Sequence, residues 1–204
     1  MDLKLWAAAS VVAASVGVAQ AQTAQQGKLS NDVLRIGVLT DISGVYADIS
    51  GKGAVEAVKM AVEDFGGKMF GKPIEVVFAD HQNKADVGAA KAREWYDSGQ
   101  VDMINDLANS GVALAVAGVA KEKKRHAIVN NASNVGVTNA QCSPYTVHYA
   151  YDAYSLAHGT GKTIAEGGGD TWFFLTADYA FGIGLEQQVG DVVRANKGRV
   201  VGAA

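Results

Sequence analysis

The sequence predicts an α/β protein organised as a doubly wound parallel sheet. Three observations carry this. Short apolar runs alternate along the chain with longer stretches of helical periodicity. The runs are near-continuously apolar, the pattern of strands buried on both faces of a parallel sheet. Glycine is abundant and proline scarce, 24 against 2 in 204 residues, which suits tight strand-to-helix turns better than extended linkers.

The elements follow in order. Val33 to Thr40 is the first strand, and Asp41–Ser50 a polar, glycine-containing loop. From Gly51 to Phe65, Val55, Val58, Val62 and Phe65 recur at spacings of three and four, one face of a helix, and Gly66-Gly67 stops it. Ile74 to Ala79 is the second strand, with Pro73 at its mouth. Ala85, Ala89, Ala92 and Tyr96 mark a helix ending near Gly99. Val101 to Asn105 is a third strand. Val112, Ala115, Val116 and Val119 mark a third helix. Lys121 to Arg125 places cations at its carbonyl end, where the helix dipole favours them. Ala127 to Asn130 is a fourth strand. A second unit begins near Tyr151: a helical pattern over Asp152–Glu166, a break at Gly167-Gly168-Gly169, a strand over Thr171–Thr176, a helix through Leu185, Val189 and Val192, and a strand from Arg199 to Gly202. Two strands rarely make a stable sheet. The expectation is a chain cut inside its second lobe, against the alternative of a small appendage on the first.

The N-terminus reads as an address. Lys4 precedes an uncharged stretch, Leu5 to Val18, and Ala19-Gln20-Ala21 is a small-x-small cleavage site. Cleavage after Ala21 is expected, the alternative being an amphipathic helix that stays attached. The expected organisation is a signal peptide over 1–21, a polar leader over 22–32, an α/β lobe over 33–150 and an incomplete second lobe over 151–204. Lysine plus arginine total 18 and aspartate plus glutamate 21, for a net charge of −3. That balance argues against nucleic acid as partner. No apolar run is long enough to span a bilayer.

In a doubly wound sheet, ligands bind beyond the carboxyl ends of the strands. The loops there are Asp41–Ser50, Asp80–Lys84, Asp106–Ser110 and Asn131–Thr138. They carry mostly uncharged hydrogen-bonding groups suited to a small polar solute, although loops are polar in any protein. Enzymatic motifs fail. Gly159-Thr160-Gly161-Lys162-Thr163 lacks the first glycine of a phosphate loop and the strand before it. Gly51-Lys52-Gly53 has Glu56 where a dinucleotide fingerprint needs its third glycine. His81, His126, His148 and His158 lack metal-ligand spacing. The single cysteine, Cys142, reads as a structural thiol, or as half of a disulfide whose partner lies beyond residue 204, before it reads as a nucleophile. Asn131-Ala132-Ser133 fits the glycosylation pattern, a match common by chance. No cofactor, no metal and no catalytic activity are expected.

An ordered set of segments carries a family resemblance. They are Leu34-Arg35-Ile36-Gly37-Val38-Leu39-Thr40-Asp41, Ser43-Gly44-Val45-Tyr46-Ala47, Asp64-Phe65-Gly66-Gly67, Gly71-Lys72-Pro73-Ile74 and Thr176-Ala177-Asp178-Tyr179-Ala180-Phe181-Gly182. Together they resemble the branched-chain-amino-acid-type solute-binding proteins of ABC importers, which have the type I periplasmic binding fold. The resemblance runs from about residue 33 to 204. It implies two α/β lobes joined by crossovers, with a solute caught between them as they close. Family members are about twice as long, in keeping with the expected truncation.

The resemblance also implies site residues. Ser110, beside Asn109, falls where a serine opening the third helix holds the solute carboxylate, and a helix N-terminus offers free N–H groups there. Ala132, Ser133 and Asn134 match a second carboxylate-holding turn, with asparagine where the family often has threonine. Phe181 falls at the covering aromatic of the second lobe, commonly tyrosine, with Tyr179 nearby. Tyr46 lies in the first cleft loop. Val147 to Asp152 matches the first crossover, putting Tyr151 and Asp152 at the hinge. The residue receiving a solute amino group would lie past residue 204, so amino acids, aromatic carboxylates and short amides all remain open. The implied protein is a monomeric periplasmic receptor that passes its solute to membrane permease subunits. The alternatives are a sensor on the same fold and an exported α/β enzyme.

Overall fold

The computed structural model describes Leu29, residues 31–99 and residues 101–204. The expected signal peptide and nearly all of the polar leader lie outside the described residues. The first lobe runs β1 (Leu34–Thr40), α1 (Gly51–Asp64), β2 (Lys68–Met69), β3 (Lys72–Asp80), α2 (Ala85–Asp97), β4 (Met103–Asp106), α3 (Ser110–Lys123), β5 (His126–Val129), a short 3₁₀ turn (Val135–Val137) and β6 (Thr146–His148). The sheet order is β2-β3-β1-β4-β5-β6, and every neighbouring pair is parallel except β2 with β3. Order and direction are those of a doubly wound sheet.

The core lies between this sheet and the α2–α3 pair. Leu39, Ile104 and Val129 point from the strands toward Trp95 of α2 and Val112 and Val116 of α3, all buried. Two glycines permit the close approach. A Cβ on Gly37 would stand 2.7 Å from the Trp95 ring, and one on Gly88 would stand 2.7 Å from Val112. Tyr96 donates its hydroxyl to the His126 carbonyl at 2.8 Å, tying α2 to β5. Helix α3 ends as its cations predict. Lys121 and Lys123 lie in the last turn, and Lys124 closes it in the left-handed region at φ 52°. Helix α1 covers the other face of the sheet and buries only Gly51 and Val55.

Several boundaries differ from the sequence reading. Strand β4 begins at Met103 instead of Val101, because the Val101 N–H turns back to the Trp95 carbonyl. Strand β3 begins at Lys72 and pairs with β2, a hairpin that periodicity did not indicate. Its two-residue loop, Phe70-Gly71, has φ of 50° and 79°. Pro73 fits because only the two residues of β2 flank it there. Strand β6 was also not indicated. It takes the first part of the Val147–Asp152 stretch into the first-lobe sheet, and the chain then leaves through Tyr149 to Asp152.

The second unit contains α4 (Ala153–Leu156), a π turn (Ala157–Gly161), α5 (Lys162–Glu166), β7 (Thr171–Phe174), α6 (Ala180–Ala195) and β8 (Arg199–Ala203). Asp152 caps α4 reciprocally: Ser155 N–H donates to Asp152 Oδ1 at 2.8 Å, and Asp152 N–H donates to Ser155 Oγ at 3.2 Å. The helix expected over Asp152–Glu166 is therefore present, interrupted by one π turn. The Gly159–Thr163 stretch lies inside it, so it forms no phosphate loop. Strands β7 and β8 pair in parallel with one bulge, and among the described residues they form a sheet of two. Leu175 just after β7 is 91% exposed.

Candidate functional site

Parallel strands β1, β3, β4 and β5 end at the same edge, so their following loops converge there. Asp41 is fully buried and organises the first loop. Its Oδ1 accepts from Gly44 N–H at 2.8 Å and its Oδ2 from Tyr46 N–H at 3.0 Å. Gly44 is required there, since a Cβ would sit 2.5 Å from either carboxylate oxygen. These bonds fix the backbone that presents Tyr46.

A buried polar chain lies beneath the loop. Thr40 Oγ1 meets Ser50 Oγ at 2.7 Å, and Ser50 donates to Asp106 Oδ2 at 2.5 Å. Strand alternation would place Asp106 on the side of Ile104, toward α2 and α3. Its φ of 87° instead turns the carboxylate to Ser50 at the head of α1, and Leu107 follows at φ 62°. Such conformations are costly for residues with a Cβ and are held here by the surrounding bonds.

The loop after β3 is held by Asp80. Burial opposes its ionisation, but bonds from the Ser43 hydroxyl and the Ile42 and Gln82 N–H groups outweigh that and hold its carboxyl below the usual range. His81 is fully buried. Its Nδ1 accepts from Asn83 N–H at 3.1 Å, which leaves the proton on Nε2, where no partner is found among the described residues. Burial pushes the imidazole below its ordinary value, against the pull of Asp41, Asp106 and Asp80.

The start of α3 separates two candidate residues. Asn109 is the N-cap. Its Oδ1 accepts from Gly111 N–H at 2.7 Å and Val112 N–H at 3.1 Å, and its Nδ2 donates to Asn83 Oδ1 at 2.6 Å. Two of the N–H groups expected to be free for a solute are thereby taken. Ser110 follows as the first helical residue, 2% exposed, and its hydroxyl makes no hydrogen bond among the described residues.

The turn after β5 is bound to the chain that leaves the lobe. The Ala132 carbonyl meets His148 Nε2 at 2.6 Å, and the Ser133 carbonyl accepts from Ala153 N–H at 2.7 Å. Asn134 caps the 3₁₀ turn through Gly136 N–H at 2.8 Å and donates its Nδ2 to the Ala180 carbonyl of α6 at 2.6 Å. Asn134 thus bridges the two units. Tyr46 and Tyr179 do the same through their hydroxyls. Burial, then the bond to Tyr46, raises the Tyr179 hydroxyl above its ordinary value, so it stays protonated. The Phe181 ring centroid lies 5.9 Å from that of Tyr179.

The structure therefore brings Tyr46, Asn134, Tyr179 and Phe181 together, and places Asn109 and Ser110 at the α3 end of the same sheet edge. Phe181 also lines an apolar cleft of about 350 Å³ with Trp172, Phe174, Leu185 and Val189, inside the second unit and away from Ser110. Tyr151 is 61% exposed, beside the cap residue Asp152. Asp41, Asp80, His81 and Asp106 fall in the edge loops the sequence points to, but nothing in the sequence gives any of them an individual role. Their one signal is position, since each ends a strand or directly follows one. Among the described residues no group of three potential metal ligands is present, and no helix is long and apolar enough to cross a membrane.

Fold and site together define a two-unit α/β protein in which the polar edge of a six-stranded sheet meets a second unit with a two-stranded sheet among the described residues. The chain belongs to the periplasmic binding protein family, whose model matches residues 33–204. It is similar to a periplasmic binding protein from Burkholderia mallei, with 58% identity and a TM-score of 0.82 over 85% of this chain and 46% of that one. It is similar to a branched-chain amino acid ABC transporter periplasmic ligand-binding protein from Burkholderia xenovorans, with 38% identity and a TM-score of 0.72 over 84% and 46% of the two chains. A solute-binding protein of an ABC transporter from Rhodopseudomonas palustris, in complex with benzoate, shares 26% identity and a TM-score of 0.77 over 84% and 47%. The chain thus spans about half the length of these solved relatives. No curated protein matches it.

Proposed function

We propose that the protein is the receptor of an ABC importer, exported to the periplasm with cleavage after Ala21, acting as a monomer and handing a small carboxylate solute to membrane permease subunits. The solute binds between the lobes, and its differential affinity for the closed arrangement drives hinge closure about Tyr151 and Asp152. The observation that carries this reading is Ser110. Its hydroxyl is nearly buried at the positive end of α3, at the ligand-binding edge, and Asn109 already serves as the cap. Ser110 therefore has no capping duty and remains a donor for an anion.

Two relatives frame the solute class, one named for branched-chain amino acids and one bound to benzoate. The aromatic grouping of Tyr46, Tyr179 and Phe181 favours an aromatic carboxylate. Calorimetric titration of the full-length protein with benzoate and with leucine tests both. A hydrogen bond to a charged group contributes about 1.5–3 kcal/mol, so Ser110→Ala should weaken the bound carboxylate about ten- to hundredfold. Unchanged affinity in a normally melting variant would remove Ser110 from the site.

A further inference from the structure

We propose that the N-terminal end of α6, Tyr179 and Ala180, is a latch: its two hydrogen bonds to first-lobe loops hold the lobes together and set how often the cleft opens. Tyr179, the residue before α6, joins hydroxyls with Tyr46. Ala180, the first residue of α6, accepts from Asn134 Nδ2 at 2.6 Å. The two contacts reach different loops of the first lobe, Asp41–Ser50 and Asn131–Thr138, from adjacent residues of one helix end.

Each first-lobe partner is fixed before it meets α6. The buried Asp41 carboxylate pins the Tyr46 N–H, and the Tyr46 carbonyl accepts from Ile49 and Ser50 N–H at 3.2 and 3.1 Å. Asn134 Oδ1 is held by Gly136 N–H, which fixes the amide so that its Nδ2 faces Ala180. The α6 side is shaped to match. A Cβ on Gly184 would lie 3.0 Å from Asn134 Nδ2, so glycine leaves room for the bridge. Little further ordering is needed for these bonds to form, and that keeps their entropic cost low. The latch shifts the balance between open and closed lobes, and a solute adds its own preference to that balance.

The inference rests on the two-lobe cleft reading, but its test needs no solute. Fluorophores at exposed Lys52 in the first lobe and Gln187 in the second, in the full-length protein, report lobe separation by single-molecule energy transfer. Loss of one neutral hydrogen bond should raise the open-to-closed ratio about two- to tenfold. Tyr179→Phe and Tyr46→Phe should each do so, and the double variant should go no further, because both remove the same bond. Gly184→Ala should open the cleft through the second contact with both tyrosines intact. An unchanged distance distribution in Tyr179→Phe and Gly184→Ala, with normal melting, would overturn the latch. Failure to bind any carboxylate would count against the receptor reading alone.

Discussion

At the scale of single residues, two buried groups give measurable consequences. His81 is neutral in the folded protein because burial depresses its basicity below the ordinary 6.5. In the unfolded chain it titrates near that value. Stability is therefore full above about pH 6.5, where both states are neutral, and falls as pH drops through 6.5 toward the lower folded value, because only the unfolded chain gains the proton. Thermal melts of the wild type between pH 7.5 and 5 should decline, and His81→Asn should show a flatter profile. Parallel profiles would mean other groups carry the acid sensitivity. Asn109 gives the second test. As the cap of α3 it holds two N–H groups, so Asn109→Ala should lower stability by about 1 kcal/mol in denaturant titration. Ser110→Ala should leave stability near wild type. The sequence marked both residues as one candidate site. It did not show that the first caps the helix while the second makes no side-chain bond among the described residues, because adjacent polar residues at a strand-to-helix turn look alike until the backbone angles are known.

At the scale of elements, periodicity found β1, α1, α2, α3, β5, β7 and α6 near their observed places, because each buries one apolar face or strip. It missed elements that bury little. Strand β2 has two residues and no apolar pattern, and β6 is only three residues long. The π turn left no trace, since Ala157-His158-Gly159-Thr160-Gly161 keeps a helical composition while its bonding changes. The β2–β3 hairpin also carries an avoidable cost. A two-residue loop with φ positive at both positions favours Asn-Gly, and here Phe70 occupies the first. Phe70 is 55% exposed, so little packing is lost on replacement. Phe70→Asn should stabilise the first lobe by about 0.5–1 kcal/mol, read as a higher denaturant midpoint at unchanged slope. A lower midpoint would show that the ring makes a contribution larger than the turn's preference.

At the scale of the whole molecule, the two units differ in how well their sheets are covered. The first-lobe sheet has a core closed by α2 and α3, whereas β7 and β8 stand as a pair with Phe173 61% and Leu175 91% exposed. Amide hydrogen exchange on this 204-residue chain should protect β1, β3 and β4 well above β7 and β8, and a dye that fluoresces on apolar surface should bind. Equal protection in both sheets would contradict that difference. The contact between the units was the least legible feature of all. Tyr46 and Tyr179 stand 133 positions apart, and no local pattern links them.

The turn after β5 has a mechanical consequence. The chain crosses between the units next to two bonds, His148 to the Ala132 carbonyl and Ala153 to the Ser133 carbonyl. In the receptor proposed above, the pivot would border the floor on which a solute rests, and load and fulcrum would nearly coincide. Such a lever trades force for travel. Helix α6 has 16 residues, so its far end lies about 24 Å from its first turn at about 1.5 Å per residue. A rotation of about 10° would sweep that end through about 4 Å, while the atoms at the floor shift by a small fraction of that. On that reading, a partner that senses closure would meet a larger displacement near Asn196 than at the solute floor.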